Sequence, residues 1–163
     1  MLQSRLIDFI RLLGPRCLVR SALFIALDVF TCPEKLTPEV GYIVSSGAKT
    51  QEELKMQSRS IQAVQQASQQ AHSLAMELSA MIESDELLRW QLGKVSPFIL
   101  DLMYCSIATF HWLLGENGHE INKSRLKDLE SFMEMLGTRW RLSKKYVEIA
   151  SFHDVSKRMR NNT

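Results

Sequence analysis

At 163 residues and 45% hydrophobic composition, the chain has the length and apolar material for one domain with a proper core, which excludes disorder as its default state. Its 20 basic and 18 acidic residues nearly cancel, so no chain-wide field draws it onto a nucleic acid or an anionic membrane. Three dispersed cysteines, Cys17, Cys32 and Cys105, argue against a disulfide framework and fit buried thiols in a reducing interior.

The opening residues, Met1 to Asp8, have neither the uninterrupted apolar core nor the small-residue cleavage site of a secretory signal. Leu2, Leu6, Phe9, Ile10 and Leu13 mark an amphipathic first helix. Gly14-Pro15 is expected to interrupt it, because proline lacks an amide donor and restricts the residue before it. A second helix is expected from about Pro15 to Phe30, apolar nearly all round apart from Arg20, Ser21 and Asp28, the pattern of a helix covered on most sides by its neighbours. Arg20 and Asp28, two turns apart on one side, form a candidate structural polar pair; buried charges usually occur in pairs or networks, and ligand recognition is the other reading. From Cys32 to Lys49, Pro33, Pro38, Gly41, Gly47 and Ser45-Ser46 break any regular period and predict a loop.

The clearest element follows, a helix from Thr50 to about Ile82. Leu54, Ile61, Val64, Ala71, Ala75, Leu78 and Ile82 recur at helical steps and form one narrow stripe that must pack against something. The opposite face carries Lys55, Gln62, Gln66, Ser73 and Glu77, a solvated surface with no catalytic grouping. Thr50 followed by Glu53 and Leu54 is a capping box, in which hydroxyl and carboxylate satisfy orphan amides of the first turn. Ser84 to Gly93 reads either as a short helical turn or as an irregular connection.

Ser96-Pro97 supplies an N-cap with proline at the first helical position, opening an apolar helix to about Leu114 that Gly115 to Gly118 closes. The apolar runs Cys17 to Cys32 and Pro97 to Leu114 contain Arg20 and Asp28, and Asp101, Ser106 and His111, respectively; both read as buried helices rather than membrane spans. A last helical region begins near Asn122. There Leu126, Leu129, Met133, Leu136, Trp140 and Val147 keep one stripe across Gly137, so one long helix, with a kink at most, is expected. From Gly137 onward seven Lys or Arg stand against two acids, a basic stretch read as solvated surface. No sustained alternation or hairpin signal competes. The expected fold is all-α, an irregular bundle of five or six helices spanning 1–163 as a single helical domain and forming part of a larger α-helical domain.

No constellation for chemistry emerges. His72, His111, His119 and His153 lack a second ligand at helical spacing, and Cys105 and His111 sit six apart on roughly opposite sides of one helix. No glycine-rich phosphate loop or nucleophile signature is present, so no catalytic, metal or cofactor residue is assigned and the chain reads as non-enzymatic. Trp112, Phe132, Trp140 and Tyr146 are the candidate lining of an inter-helix pocket for a small effector, against the ordinary alternative that aromatics on apolar stripes are core.

The succession from Arg20-Ser21-Ala22-Leu23-Phe24 through Cys32-Pro33-Glu34 to Lys49-Thr50-Gln51-Glu52-Glu53-Leu54, then Ser96-Pro97-Phe98 and Leu136-Gly137-Thr138-Arg139-Trp140 with Tyr146, has a recognisable order. It resembles the C-terminal part of the regulatory, or middle homology, domain of fungal binuclear zinc-cluster transcription factors, from about Ile7 to Phe152. The resemblance implies an all-α regulatory module in the nucleus, acting through protein or intramolecular contacts and responding to a small effector; without it the expected location is cytoplasmic. The family's DNA-binding module, six cysteines holding two zinc ions, cannot be formed by three dispersed cysteines. Zinc and direct DNA contact are therefore not expected of this segment. The competing reading is an unrelated helical scaffold or adaptor, and a small-molecule-binding helical domain ranks below it.

Overall fold

The structure is a computed structural model that describes residues 2–31, 35–37, 43–45, 49–84, 96–138 and 140–150, with the side chains of 2–11, 28, 29, 35–37, 43–45, 116 and 117 outside the description. Within those residues the chain is an all-α bundle of five helices. They are α1 (Leu2–Thr31), α2 (Gln51–Ser84), α3 (Phe98–Asn117), α4 (Glu120–Leu136) and α5 over 141–150. Between α1 and α2, within the expected loop, strands β1 (Lys35–Thr37) and β2 (Ile43–Ser45) form a minimal antiparallel ladder with Leu36 opposite Val44. The connection expected between Ser84 and Gly93 lies outside the described residues beyond Ser84.

The two N-terminal helices expected on either side of Gly14-Pro15 are one. α1 runs unbroken for 30 residues with Pro15 inside it. Pro15 is exposed, and the Arg11 carbonyl that loses its amide partner falls on the same side of the helix, where water can satisfy it. Gly14 is buried because α1 passes close to the start of α3: a Cβ there would stand 3.0 Å from both Cβ and Oγ of Ser96.

α2 starts as the capping box dictates. The Thr50 amide donates to Glu53 Oε2 at 2.6 Å, and the Glu53 amide donates to Thr50 Oγ1 at 3.3 Å. Val64, Ala71, Ala75, Leu78 and Ile82 are buried as their spacing predicts, while Lys55, Gln62, Gln66, Ser73 and Glu77 face solvent. Leu54 departs from the stripe and is exposed, and Ile61 is half-buried. The Gln57 side-chain amide donates to the Thr31 carbonyl at 3.2 Å, so α1 ends level with Gln57 and the first turns of α2 project past it.

α3 is the axis of the bundle and packs against α1, α2 and α4. Ile99, Leu102, Met103 and Ile107 are completely buried, which accounts for a helix apolar enough, by length and composition alone, to cross a membrane. Its start follows the sequence: Ser96 Oγ accepts the Phe98 amide at 3.4 Å, and Pro97 is already helical with φ −60° and ψ −21°. It ends later than Leu114, at Gly118, whose φ of 61° is the left-handed conformation that glycine adopts without a Cβ penalty.

The expected single helix across Gly137 is two. α4 stops at Leu136, residues 137–138 turn, and α5 restarts at 141. The Ser143 hydroxyl donates to the Met133 carbonyl, and the Thr138 hydroxyl donates to the Met135 carbonyl at 2.8 Å, so side chains satisfy carbonyls of the last turn of α4. The apolar stripe nonetheless survives the break, because Leu126, Leu129, Met133 and Leu136 are buried and Trp140 and Val147 pack against the same core. Periodicity reported which side chains face inward; it could not report that the backbone between them turns.

Candidate interaction face

One side of α1 belongs to the core and the other to solvent. Leu13, Cys17, Ser21 and Phe24 are buried on an arc facing α2 and α3. The opposite half-cylinder exposes Leu12, Leu18, Val19, Leu23, Ile25 and Phe30, with Val19 and Ile25 each 70% exposed. At 100° per residue, Pro15, Val19, Ala22 and Ala26 form the strip along the middle, low except where the exposed Val19 stands up from it. Leu18 and Ile25 stand on one flank of that strip, and Leu12, Leu23 and Phe30 stand on the other. Among the described side chains from 12 to 30, the sole exposed charge is Arg16. An all-round apolar sequence was expected to mean a helix covered on most sides; among the described residues the cover reaches about half of it.

Arg20 is half-buried at the edge of this face, and the side chain of its expected partner Asp28 lies outside the described residues. The charges of Arg20 and Arg16 are felt by Cys17. Burial pushes that thiol up from 9.0 to about 11, and the two guanidinium groups only partly oppose the shift.

The four aromatics proposed as a pocket lining are distributed over three helices and a turn. Phe132 on α4 is buried in the core, whereas Trp112 on α3, Trp140 at the α4–α5 turn and Tyr146 on α5 pack against it part-buried. Tyr146 meets α3. Its ring lies 5.1 Å from that of Tyr104, centroid to centroid, and its hydroxyl donates to Asp101 Oδ1 at 2.9 Å. That bond to Asp101, aided by burial and the carboxylate charge, raises the tyrosine above its ordinary value. Neither Tyr104 nor Asp101 is legible as a partner from spacing, since 45 residues separate Asp101 from Tyr146. The Trp140 Nε1 hydrogen is buried without an acceptor among the described residues.

Two histidines that sequence reading left unassigned join α4 to its neighbours. His72 on α2 donates through Nε2 to Asp128 Oδ2 at 2.9 Å, and His111 Nε2 on α3 stands 3.7 Å from Glu130 Oε1. Each contact ties one helix to another. Among the described residues no three His, Cys, Asp or Glu side chains converge where a metal ion could sit. The chain matches no family model, no curated protein and no solved structure. The open face of α1 is therefore weighed on its own chemistry. Apolar side chains along and beside this strip offer no nucleophile or proton carrier, and suit another apolar surface.

Proposed function

We propose that this chain is a non-enzymatic module that works by protein contact through α1, and that, as its resemblance to the zinc-cluster regulatory domain implies, the contact serves transcription regulation in the nucleus. The carrying observation is the uncovered apolar half of α1. Taking roughly 200 Å² for a fully exposed large apolar residue, its six large side chains leave on the order of 600 Å² open, at the top of what monomers usually leave contiguous. Leaving that area in water opposes the folded state, and covering it drives association. The order of motifs from Arg20 to Tyr146 supports the transcriptional part of the reading, as does the all-α bundle that the family would require. A small effector is a secondary role supported by one feature, the buried indole N–H of Trp140, which has no acceptor among the described residues and which a ligand carbonyl would satisfy.

The test is a tethered reporter. The chain is fused to a heterologous DNA-binding domain, and output is compared with that domain alone and with a fusion carrying Leu18→Lys and Ile25→Lys. The expected result is a change in output that the double substitution abolishes. Equal output from all three removes the transcriptional reading and leaves the unrelated scaffold or adaptor.

A further inference from the structure

We propose that the occupant of the open face of α1 is a second copy of this chain, with the two α1 helices antiparallel across a twofold axis passing between residues 21 and 22. The proposal rests on the reading of α1 as a contact face and names what covers it. Three properties of the face favour a copy of itself.

The first is shape. The middle strip of Pro15, Val19, Ala22 and Ala26 carries no side chain larger than valine, so a second helix can approach within the roughly 8–10 Å at which helix axes pack. With the axis between residues 21 and 22, Ala22 of each copy lies at the crossing. Leu18 then stands beside Ile25 of the second copy on one flank, and Leu12 beside Phe30 of the second copy on the other. Every large exposed residue of those two pairs gains an apolar neighbour without any side chain having to leave its own core.

The second is charge. A like-charged face would repel its copy, but among the described side chains of this face Arg16 is the only exposed charge. In the antiparallel arrangement the two Arg16 positions lie ~17 Å apart along the axis, from 1.5 Å rise per residue, about twice the ~8 Å screening length at physiological salt. Each Arg16 comes instead toward the C-terminal end of the second copy's α1, whose carbonyl dipoles attract a cation.

The third is area. The on the order of 600 Å² left open by the large side chains of α1, together with Pro15, Ala22, Ala26 and the Arg16 stem, approaches the roughly 800 Å² per partner of a stable standard interface. A twofold pairing covers the same patch on both copies, leaving no apolar face to propagate further.

Sedimentation equilibrium on the whole chain at micromolar to tens of micromolar concentration reads the result. The parent is expected at twice the 18.7 kDa chain mass. Leu18→Lys with Ile25→Lys, which sets like charges side by side across the axis, is expected at the single-chain mass with an unchanged helical circular dichroism spectrum, since both residues are exposed in one copy. Leu18→Lys with Ile25→Glu sets opposite charges at those positions and is expected to restore the doubled mass. A parent that sediments as a single chain throughout overturns the proposal, as does a parent dimer indifferent to the Lys–Lys pair. If the single-chain parent still drives the reporter and loses it with Leu18→Lys and Ile25→Lys, the contact face stands and its occupant is another protein. If the parent dimerises through α1 but the substitutions leave the reporter unmoved, the dimer stands and the regulatory reading falls.

Discussion

His72 on α2 and Asp128 on α4 meet at 2.9 Å across 56 residues of chain, and the bond is a polar tie between these two helices. Both side chains are part-exposed, at 19% and 40%, so water competes for each and the net worth is modest. His72→Ala and Asp128→Ala are each expected to lower unfolding free energy by roughly 0.5–1.5 kcal/mol. In a double-mutant cycle their coupling should be about 0.5–1 kcal/mol. Urea denaturation of the four proteins measures it. Strictly additive single effects would mean that the contact contributes nothing beyond each residue's own packing.

The turn between α4 and α5 yields a prediction whose sign separates the observed backbone from the single helix that periodicity suggests. In a continuous helix Gly137→Ala would stabilise by about 1 kcal/mol, because glycine is the poorer helix former. In the turn a Cβ at 137 would come within 2.9 Å of Lys144 Cγ and 3.0 Å of the Glu134 carbonyl oxygen. The φ of −62° at Gly137 is open to any residue, so the obstacle is the close approach of α5 and not backbone strain. Gly137→Ala is therefore expected to destabilise by roughly 1 kcal/mol and to raise amide exchange in α5. A higher melting temperature would restore the single-helix description.

What the sequence made legible follows the range of each signal. The Thr50–Glu53 box, the Ser96-Pro97 start and the inward stripe of α2 depend on residues within a few positions of one another; the first two are formed as read, and the stripe is buried from Val64 onward. Pro15 and Gly137 are local signals whose outcome was decided elsewhere: exposure makes the proline tolerable, while Ser143 and the approach of Lys144 turn the chain at the glycine. The exposed half of α1 was hidden for a different reason. Apolar composition all round a helix states that both halves favour burial, but only the number of neighbouring helices decides whether both receive it. The bonds of Tyr146 to Asp101 and of His72 to Asp128 span 45 and 56 residues and leave no local trace at all.

Buried hydroxyls without partners give the third expectation. Ser60 on α2 is 2% exposed, and its Oγ lies buried with no hydrogen-bond partner among the described residues, unlike Ser68, whose Oγ donates to the Val64 carbonyl at 2.9 Å. An unsatisfied buried hydroxyl costs about 1–3 kcal/mol relative to one that is paired. Ser60→Ala removes the hydroxyl, leaves a space of one oxygen and improves helix propensity, so it should stabilise by up to roughly 1 kcal/mol. Ser68→Ala, which deletes a satisfied hydroxyl, is the control and should be neutral or mildly destabilising. A melting temperature lowered by Ser60→Ala would mean that this oxygen does have a partner in solution.

Cys17 and Tyr146 set how the bundle answers alkali. Burial raises the Cys17 thiol from 9.0 to about 11, and the bond to Asp101 raises Tyr146 above 10.0. For a group whose folded value lies above its unfolded one, the folded state holds the proton longer. The stabilisation is complete below the unfolded value and is lost as pH climbs through the folded one. Stability should therefore be flat below pH 9 with respect to these two groups, fall between pH 9 and 11 as the unfolded chain releases the thiol proton, and fall further above pH 10 as Tyr146 follows. Cys17→Ala removes the first component: its cavity lowers stability at every pH, but the decline from pH 9 to 11 should become shallower. Tyr146→Phe loses one hydrogen bond, worth about 1 kcal/mol, below pH 10 and should close that gap to the parent at higher pH. Guanidinium titrations at pH 8, 10 and 11 on the parent and both variants decide the matter. Parallel pH profiles for all three would mean that neither proton is held by the fold.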